Sequence, residues 1–328
     1  MDNMRLPKMI FSEPQTIDEL VALKMEYGET GLILAGGTDL IPLLKRRNHP
    51  SRHLINIKRI PEFRDISYDK EKGIRIGPAV TLREMIDDPL ISGSYPLLTK
   101  AALSVGFNHL RNMGTLGGNI CLDTKCTYYN QSAFWWKSRS DCFKRGGETC
   151  YVVRGGKGCF AFSAADTVSA LIALEAELII RGPEQERRTP LEAFFTGDGR
   201  RPLKLEGDEV ITAVLIPPPA QGWREGFSKK SPRGSVDFSI ATLSIRLKNN
   251  GRGFEDVRIA LNGVSTRPIR ANEAERYLIG KGLNDETIKE ALRLLIKGAT
   301  PLSLIGASAF VRRNMIGVMF ADLIETIT

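Results

Sequence analysis

Residues 31–44 read GLILAGGTDLIPLL. A short apolar run ends in two glycines, and a stretch with helical spacing follows at once. The run is a buried-strand signal. Thr38 or Asp39 supplies the N-cap for a helix over TDLIPLLKRR. The turn between them, Leu34-Ala35-Gly36-Gly37-Thr38-Asp39, carries little side chain at its centre. Bare backbone at a helix N-terminus lets several N–H groups face an anion. A tight strand-to-helix turn uses the same glycines, so both readings stand at this point. The loop is neither G-x-G-x-x-G nor a Walker A sequence.

The flanks continue the alternation. Thr16-Ile17-Asp18-Glu19 is a capping box opening the helix IDELVALKMEY, which stops at Gly28. HLINIKRI places a strand around Leu54–Ile57. FRDISYD and KGIRIGPAV pair across a Lys/Gly turn. A second capping box, Thr81-Leu82-Arg83-Glu84, starts a helix ending near Asp88-Pro89, and PLLTKAALSVG is helical to Gly106. A second glycine loop follows: Gly114-Thr115-Leu116-Gly117-Gly118-Asn119. Two bare loops from different subdomains can close on a diphosphate from both sides, with Thr115 and Asn119 adding side-chain hydrogen bonds. A dinucleotide is then the economical ligand.

Further on, DTVSALIALEAELIIRG reads as a helix running into a strand. IPPPAQGWREG (216–226) has three consecutive prolines and two glycines, the composition of a stiff linker. Beyond it, VDFSIATLSIRLKN and EDVRIALNGV alternate as antiparallel strands, and three helical segments close the chain near Ala271–Leu278, Asp285–Lys297 and Ala307–Ile324. No repeat of solenoid period is present. The class is α+β: a larger N-terminal portion to about residue 217, then a smaller sheet-and-helix domain.

All five cysteines, Cys121, Cys126, Cys142, Cys150 and Cys159, fall within 39 of the 328 residues. The segment 121–160 has little periodicity but contains Tyr128, Tyr129, Phe134, Trp135, Trp136 and Phe143, which suit a small core of its own. Clustered thiols in a reducing compartment argue against a disulfide framework. Zinc sites favour tight C-x2–4-C pairs, and only Cys121 and Cys126 approach that spacing. A [4Fe–4S] cube tolerates longer loops, and its negative charge suits the surplus of Lys125, Lys137, Arg139, Lys144, Arg145, Arg154 and Lys157 over Asp123, Asp141 and Glu148. The glycines of RGG (145–147) and RGGKG (154–158) leave backbone N–H groups free to reach cluster sulfurs. Cluster, zinc and redox-sensing thiols all remain open on spacing alone.

The net charge is +8, but the basic residues are scattered apart from short runs such as 45–47. No helix-turn-helix or RNP-like string accompanies them, which argues against nucleic acid. No apolar run reaches the roughly 20 residues of a membrane helix, and the N-terminus lacks a secretory h-region, so the cytoplasm is the expected location. The three histidines, His49, His53 and His109, have no spaced metal partner. No acid–base or nucleophile constellation stands out.

LAGGTDL, RNMGTLGGNI and the segment 166–178, together with FSKKSPRGSVDFSIATLSIRL and LNGVSTRPIRANEAERYLIGK, resemble the FAD-binding medium subunit of the molybdenum hydroxylases, the xanthine dehydrogenase and carbon monoxide dehydrogenase group. In most of that family the second glycine loop runs directly into the aspartate segment. Here about 40 residues intervene. That insertion, with CTYYNQSAFWW and CFKRGGETC, resembles the 4-hydroxybenzoyl-CoA reductase branch, whose beta subunit carries an additional [4Fe–4S] cluster.

The resemblance implies a two-part, vanillyl-alcohol-oxidase-like FAD-binding region over 1–217 (subdomains about 1–58 and 59–217), an insertion at about 121–160, and a C-terminal α+β domain over 223–328. It places Leu34, Ala35, Gly36, Gly37, Thr38, Asp39, Thr115, Leu116, Gly117, Gly118 and Asn119 on the FAD diphosphate. Asp166 accepts a hydrogen bond from the cofactor and Lys229 lies near the flavin or its phosphates. The cluster ligands fall on Cys126, Cys142, Cys150 and Cys159, with Cys121 spare. The resemblance also implies a large molybdenum-cofactor subunit and a small subunit with two [2Fe–2S] clusters, assembled as (αβγ)2. Electrons then pass from a ferredoxin-type donor through [4Fe–4S], FAD and [2Fe–2S] to molybdenum, for reductive dehydroxylation of 4-hydroxybenzoyl-CoA to benzoyl-CoA. Two other readings are a hydroxylase acting on another aromatic or N-heterocyclic substrate, and a zinc-stapled scaffold without redox role.

Overall fold

The computed structural model describes residues 5–46, 51–233, 236–303 and 306–327. Arg47 at the end of the expected second helix, His49, and residues 234–235 of the C-terminal motif lie outside the described residues.

The described residues form three sheets. In the first, β1 (Ile10–Ser12), β2 (Gly31–Leu34) and β3 (His53–Asn56) run parallel in the order β1-β3-β2. Parallel neighbours require crossovers, which the helices Ile17–Tyr27 and Leu40–Lys45 supply. Helix Ile17–Tyr27 buries Leu20, Val21 and Lys24. Thr16 caps it by accepting from the Glu19 N–H at 3.1 Å, while the Glu19 carboxylate reaches past Thr16 to the Gln15 N–H at 2.7 Å. The Lys24 ammonium donates to the Gly28 and Gly31 carbonyls at 2.6 and 2.9 Å, satisfying oxygens at the helix end. Burial holds this amine below the ordinary lysine range.

The second sheet is antiparallel. It contains β4 (Ile66–Asp69), β5 (Gly73–Ile76), β6 (Glu177–Arg181), β7 (Glu186–Pro190) and β8 (Val210–Ile216), in the order β4-β5-β8-β6-β7. The expected capping box at Thr81 is complete: Thr81 Oγ1 accepts from the Glu84 N–H at 3.1 Å and Glu84 accepts from the Thr81 N–H at 2.8 Å. The third sheet holds β9 (Trp223–Lys230), β10 (Ala241–Asn249), β11 (Phe254–Asn262) and β12 (Ile269–Arg270), antiparallel in the order β12-β11-β10-β9. Helices Asn272–Leu278, Asp285–Ala299 and Ala309–Ile327 accompany it.

Residues 241–247 of β10 are all buried. Continuous burial means both faces are covered: helix Val168–Ala173 packs on β10 and β11, and helix Ala309–Ile327 packs on β9 and β10. Helix Val168–Ala173 is itself wholly buried, and the Ser169 and Ser244 hydroxyls meet across this contact at 3.0 Å. Its N-terminus therefore delivers Asp166 and Thr167 to the junction of the second and third sheets.

The cysteine-bearing excursion leaves and returns at one antiparallel bridge. Lys125 and Phe162 exchange two N–H···O bonds of 2.9 Å. Between them, regular structure is limited to the turn of helix Ala133–Trp136 and a 3-10 turn at Phe143–Arg145. Packing is aromatic instead: Tyr128, Trp135, Trp136 and Tyr151 have ring centroids 4.9–6.5 Å apart. The Arg139 and Arg145 guanidiniums lie over Trp135 and Trp136 at 4.4 and 4.6 Å. Phe134 departs from the expected small core, standing 80% exposed at the surface.

Candidate functional site

A cleft of about 1250 Å3 is lined by the first sheet's loops, the second glycine loop and the insertion. Ala35, Gly36, Gly37, Thr38, Asp39, Thr115, Gly117, Gly118, Asn119 and Asp166 all line it; Leu34, Leu116 and Lys229 do not. Leu116 is fully buried.

The glycines have separate tasks. A Cβ on Gly36 would lie 1.9 Å from the Met113 carbonyl oxygen, so this position is where the two loops touch. Gly37 has φ +70°, a left-handed turn into the helix. A Cβ on Gly117 would strike Pro78 at 2.6 Å, so this glycine serves packing of its own loop.

Several side chains expected to face a ligand are engaged within the protein. Thr115 Oγ1 accepts from the Gly118 N–H at 3.1 Å, capping helix Leu116–Ile120. Asn119 Oδ1 accepts from the Thr167 hydroxyl at 2.6 Å and the Thr167 N–H at 3.3 Å, tying the second loop to the buried helix. Asp39 occupies the N-cap position of helix Leu40–Lys45 without making the cap hydrogen bond. Its carboxylate meets the Lys125 ammonium at 2.5 Å instead.

Asp166 is 5% exposed. Its Oδ2 receives the Lys229 ammonium at 2.6 Å, and Lys229 also donates to the Ser104 carbonyl at 2.8 Å. Burial raises the Asp166 carboxyl above the usual carboxylate range, opposed chiefly by the Lys229 ammonium. Lys229 thus stands behind Asp166, fixing it, while Oδ1 of Asp166 is buried without a partner. An unpaired buried acceptor is costly; a ligand N–H or O–H donor in the cleft would satisfy it. Together with bare loop backbone and a cavity of this size, the site fits FAD.

Sequence reasoning missed much of the polar and aromatic lining, including Lys24, Arg52, Tyr129, Lys144, Arg145, Arg200 and Phe238. Tyr129, Lys144 and Arg145 come from the insertion, so it forms part of the cleft wall. The Lys144 ammonium is buried against Asp123 (2.7 Å) and Thr124 Oγ1 (2.5 Å), 4.9 Å from the Tyr129 ring centroid. His109 is exposed and edge-on to Phe107, and His53 is buried beside Tyr27 with its Nε2 2.8 Å from Ser12 Oγ. Neither lines the cleft.

Four of the cysteines share one electrostatic neighbourhood. Cys126 feels Cys142 and Cys150, and Cys159 feels Cys126 and Cys150. Burial pushes the Cys126 thiol up and the Cys159 thiol up to about 11, opposed by backbone amides of Tyr128 and Tyr129 directed at Cys126, and by the Ala161 amide and Lys144 at Cys159. By contrast, in the glycine runs of the insertion the Arg145 and Gly147 amides bond the Cys142 carbonyl and the Gly156 amide bonds the Val153 carbonyl. A Cβ on Gly199 would come within 2.8 Å of Cys159 Sγ, so the 196–201 loop completes the pocket. Among the described residues no three His, Cys, Asp or Glu side chains stand close enough to hold a metal ion. Cys121 lies apart from this set and lines the cleft, its thiol pushed up to about 12 by burial.

Comparison with known proteins agrees with this architecture. Residues 7–219 match the family described as the FAD binding domain in molybdopterin dehydrogenase, and residues 227–327 match the CO dehydrogenase flavoprotein C-terminal domain. The chain is 28% identical over 315 residues to the carbon monoxide dehydrogenase medium chain of Hydrogenophaga pseudoflava, covering 95% of this chain and 94% of that one. It is 27% identical over 294 residues to the putative xanthine dehydrogenase FAD-binding subunit of Escherichia coli K12, covering 89% and 87%. A solved structure of carbon monoxide dehydrogenase from Hydrogenophaga pseudoflava superposes with a TM-score of 0.82 at 26% identity, over 99% of this chain and 98% of that one. No described helix is long and apolar enough to cross a membrane. With both domain families matched end to end around a cleft that fits FAD, the chain belongs to the FAD-binding medium subunits of the molybdenum hydroxylase family, the carbon monoxide dehydrogenase and xanthine dehydrogenase type.

Proposed function

We propose that this chain is the FAD- and [4Fe–4S]-bearing electron-transfer subunit of a cytoplasmic molybdenum enzyme of the 4-hydroxybenzoyl-CoA reductase kind, which removes the phenolic hydroxyl of its thioester substrate in a large partner subunit. A small subunit with two [2Fe–2S] clusters completes an (αβγ)2 assembly. The observation that carries the reading is the insertion: four thiols in one neighbourhood, beside a cleft wall to which the same insertion contributes Tyr129, Lys144 and Arg145. Four thiols in one neighbourhood, with backbone amides directed at Cys126 and Cys159 against the effect of burial, suit the four ligands of such a cluster. The reading divides the chain into an FAD region over 1–217, the insertion at 121–160, and a C-terminal domain over 223–328.

FAD supplies exchange of two electrons on one side and one at a time on the other. The loop residues Ala35 to Asp39 and Thr115 to Asn119 hold its diphosphate, Asp166 accepts from it, and Lys229 keeps Asp166 in place. Cys126, Cys142, Cys150 and Cys159 ligate the cluster. A second reading, a hydroxylase with another substrate, is favoured by the names of the matched relatives, which are dehydrogenases.

The deciding measurement is the anaerobic visible spectrum of the purified chain with iron, sulfide, zinc and flavin assays. About four irons and four sulfides per FAD are expected, and Cys142→Ser loses the iron while retaining flavin when FAD is in excess. One zinc without iron overturns the electron-transfer role of the insertion. The donor is a ferredoxin-type acidic protein, which suits the exposed Lys137, Arg139, Arg154 and Lys157. Ferredoxin-coupled reduction should slow as salt is raised from about 0.01 to about 0.1 M and the Debye length shrinks from about 30 to about 10 Å, and a salt-insensitive rate would overturn this donor.

A further inference from the structure

The insertion branches from the second glycine loop, yet its neck is fastened to the first. Lys125 immediately precedes Cys126, and its side chain is 4% exposed. Its ammonium ends on Asp39, a lining residue of the cleft, at 2.5 Å, and stands 5.5 Å from the ring centroid of Phe238, another lining residue. A second tie lies one helix further along: Arg46 Nη1 donates to the Asn130 carbonyl at 3.4 Å. Asn130 Oδ1 in turn accepts from the Cys126 N–H at 2.8 Å. Both ends of helix Leu40–Lys45 are therefore tied to the segment that carries Cys126.

Asp39 explains why this matters for an anionic ligand. A carboxylate in the lining of a diphosphate cradle repels the ligand unless it is neutralised. Lys125 neutralises it, and the backbone of Lys125 is held by the bridge to Phe162 at the neck of the insertion. We propose that Lys125 is a positioning residue common to both sites, which makes the affinity for FAD depend on assembly of the cysteine insertion. This rests on the reading of Cys126, Cys142, Cys150 and Cys159 as cluster ligands. The coupling is reciprocal by thermodynamic necessity: bound FAD then raises the affinity of the insertion for iron by the same factor.

The test is a cycle of FAD titrations on the full chain, iron-loaded and iron-free, the latter made by Cys142→Ser. In the wild-type background removal of iron should weaken FAD binding roughly tenfold, within the usual range of coupling between sites. Lys125→Arg should keep that difference. Lys125→Met should weaken FAD binding in the iron-loaded chain and erase the difference, and Lys125→Gln takes its place if the methionine variant does not fold. Equal FAD affinity with and without iron in the wild type overturns the coupling and leaves the cluster reading intact. A difference that persists undiminished in Lys125→Met also overturns it. A wild-type chain that takes up no iron after anaerobic reconstitution with ferrous iron and sulfide overturns the cluster reading and the coupling together.

Discussion

Gly36→Ala should yield a chain that folds but purifies without flavin, with FAD affinity lowered by about 100-fold or more. The added Cβ would meet the Met113 carbonyl oxygen at 1.9 Å, the Met113 carbonyl carbon at 2.6 Å and Gly114 Cα at 2.9 Å. All three are backbone atoms, so no flexible side chain can swing aside. The two glycine loops must separate, and the cradle they form around a diphosphate opens with them. The core beneath is little affected, because neighbouring Ala35 packs at the rim of its cluster and the strands of the first sheet keep their ladder. Flavin absorbance per chain after gel filtration, followed by titration with added FAD, reads the effect. A Gly36→Ala chain that retains flavin in full would show that the two loops do not jointly hold the cofactor.

Lys229→Met should cost about 3–5 kcal/mol of stability at neutral pH, because it leaves the Asp166 carboxylate buried without its cation. The pH dependence has a definite sign. Burial already raises the folded-state value of Asp166 above its unfolded value, and loss of Lys229 removes the largest opposing influence. As pH rises, the unfolded chain ionises this carboxyl first. The stability contributed by the protonated form is present below the unfolded value, near 3.9, and is lost as pH climbs through the folded one. The deficit of Lys229→Met relative to wild type is therefore largest at neutral pH and shrinks toward acid. Urea denaturation at two pH values reads it. Combining the change with Asp166→Asn should recover much of the loss, since a neutral amide tolerates burial better than an unpaired charge. A deficit independent of pH, or no recovery in the double variant, would mean that the lysine acts through packing alone.

The sequence was most informative where one residue type has one local consequence. Glycine pairs after an apolar run, the Thr81 capping box and the clustered cysteines were all legible in this way, and the family resemblance rests on the same segments. Four edge strands were not, although the edges β2 and β4 were. β1, β7, β9 and β12 lie at the edges of their sheets, and short or charged segments such as ERRTP and WREGFSKK are how edges are kept from pairing further. In sequence they resemble loops. β8, VITAVLI, is an apolar central strand that the reading passed over.

The site was half legible for a related reason. A glycine loop announces its backbone, but a lysine gives no sign of whether it is solvated or buried. Lys24, Lys125 and Lys144 each carry their charge into the protein against carbonyls or a carboxylate, and nothing in their neighbours' identities marks them. Asn119 and Thr115 show the converse: polar side chains in the right loop that serve the protein's own helix ends.

The paired feet of the cysteine segment, Lys125 and Phe162, are cross-strand neighbours. A chain that departs at one returns beside the other, so a two-residue hairpin turn can join the same ends. A long excursion between ends already held together adds only slowly to closure entropy. The far tip of the segment, beyond the residues that wall the cleft, is thereby the part free to vary. It can be lengthened, shortened or recharged without breaking a ladder of the three sheets, since it contributes no strand to them.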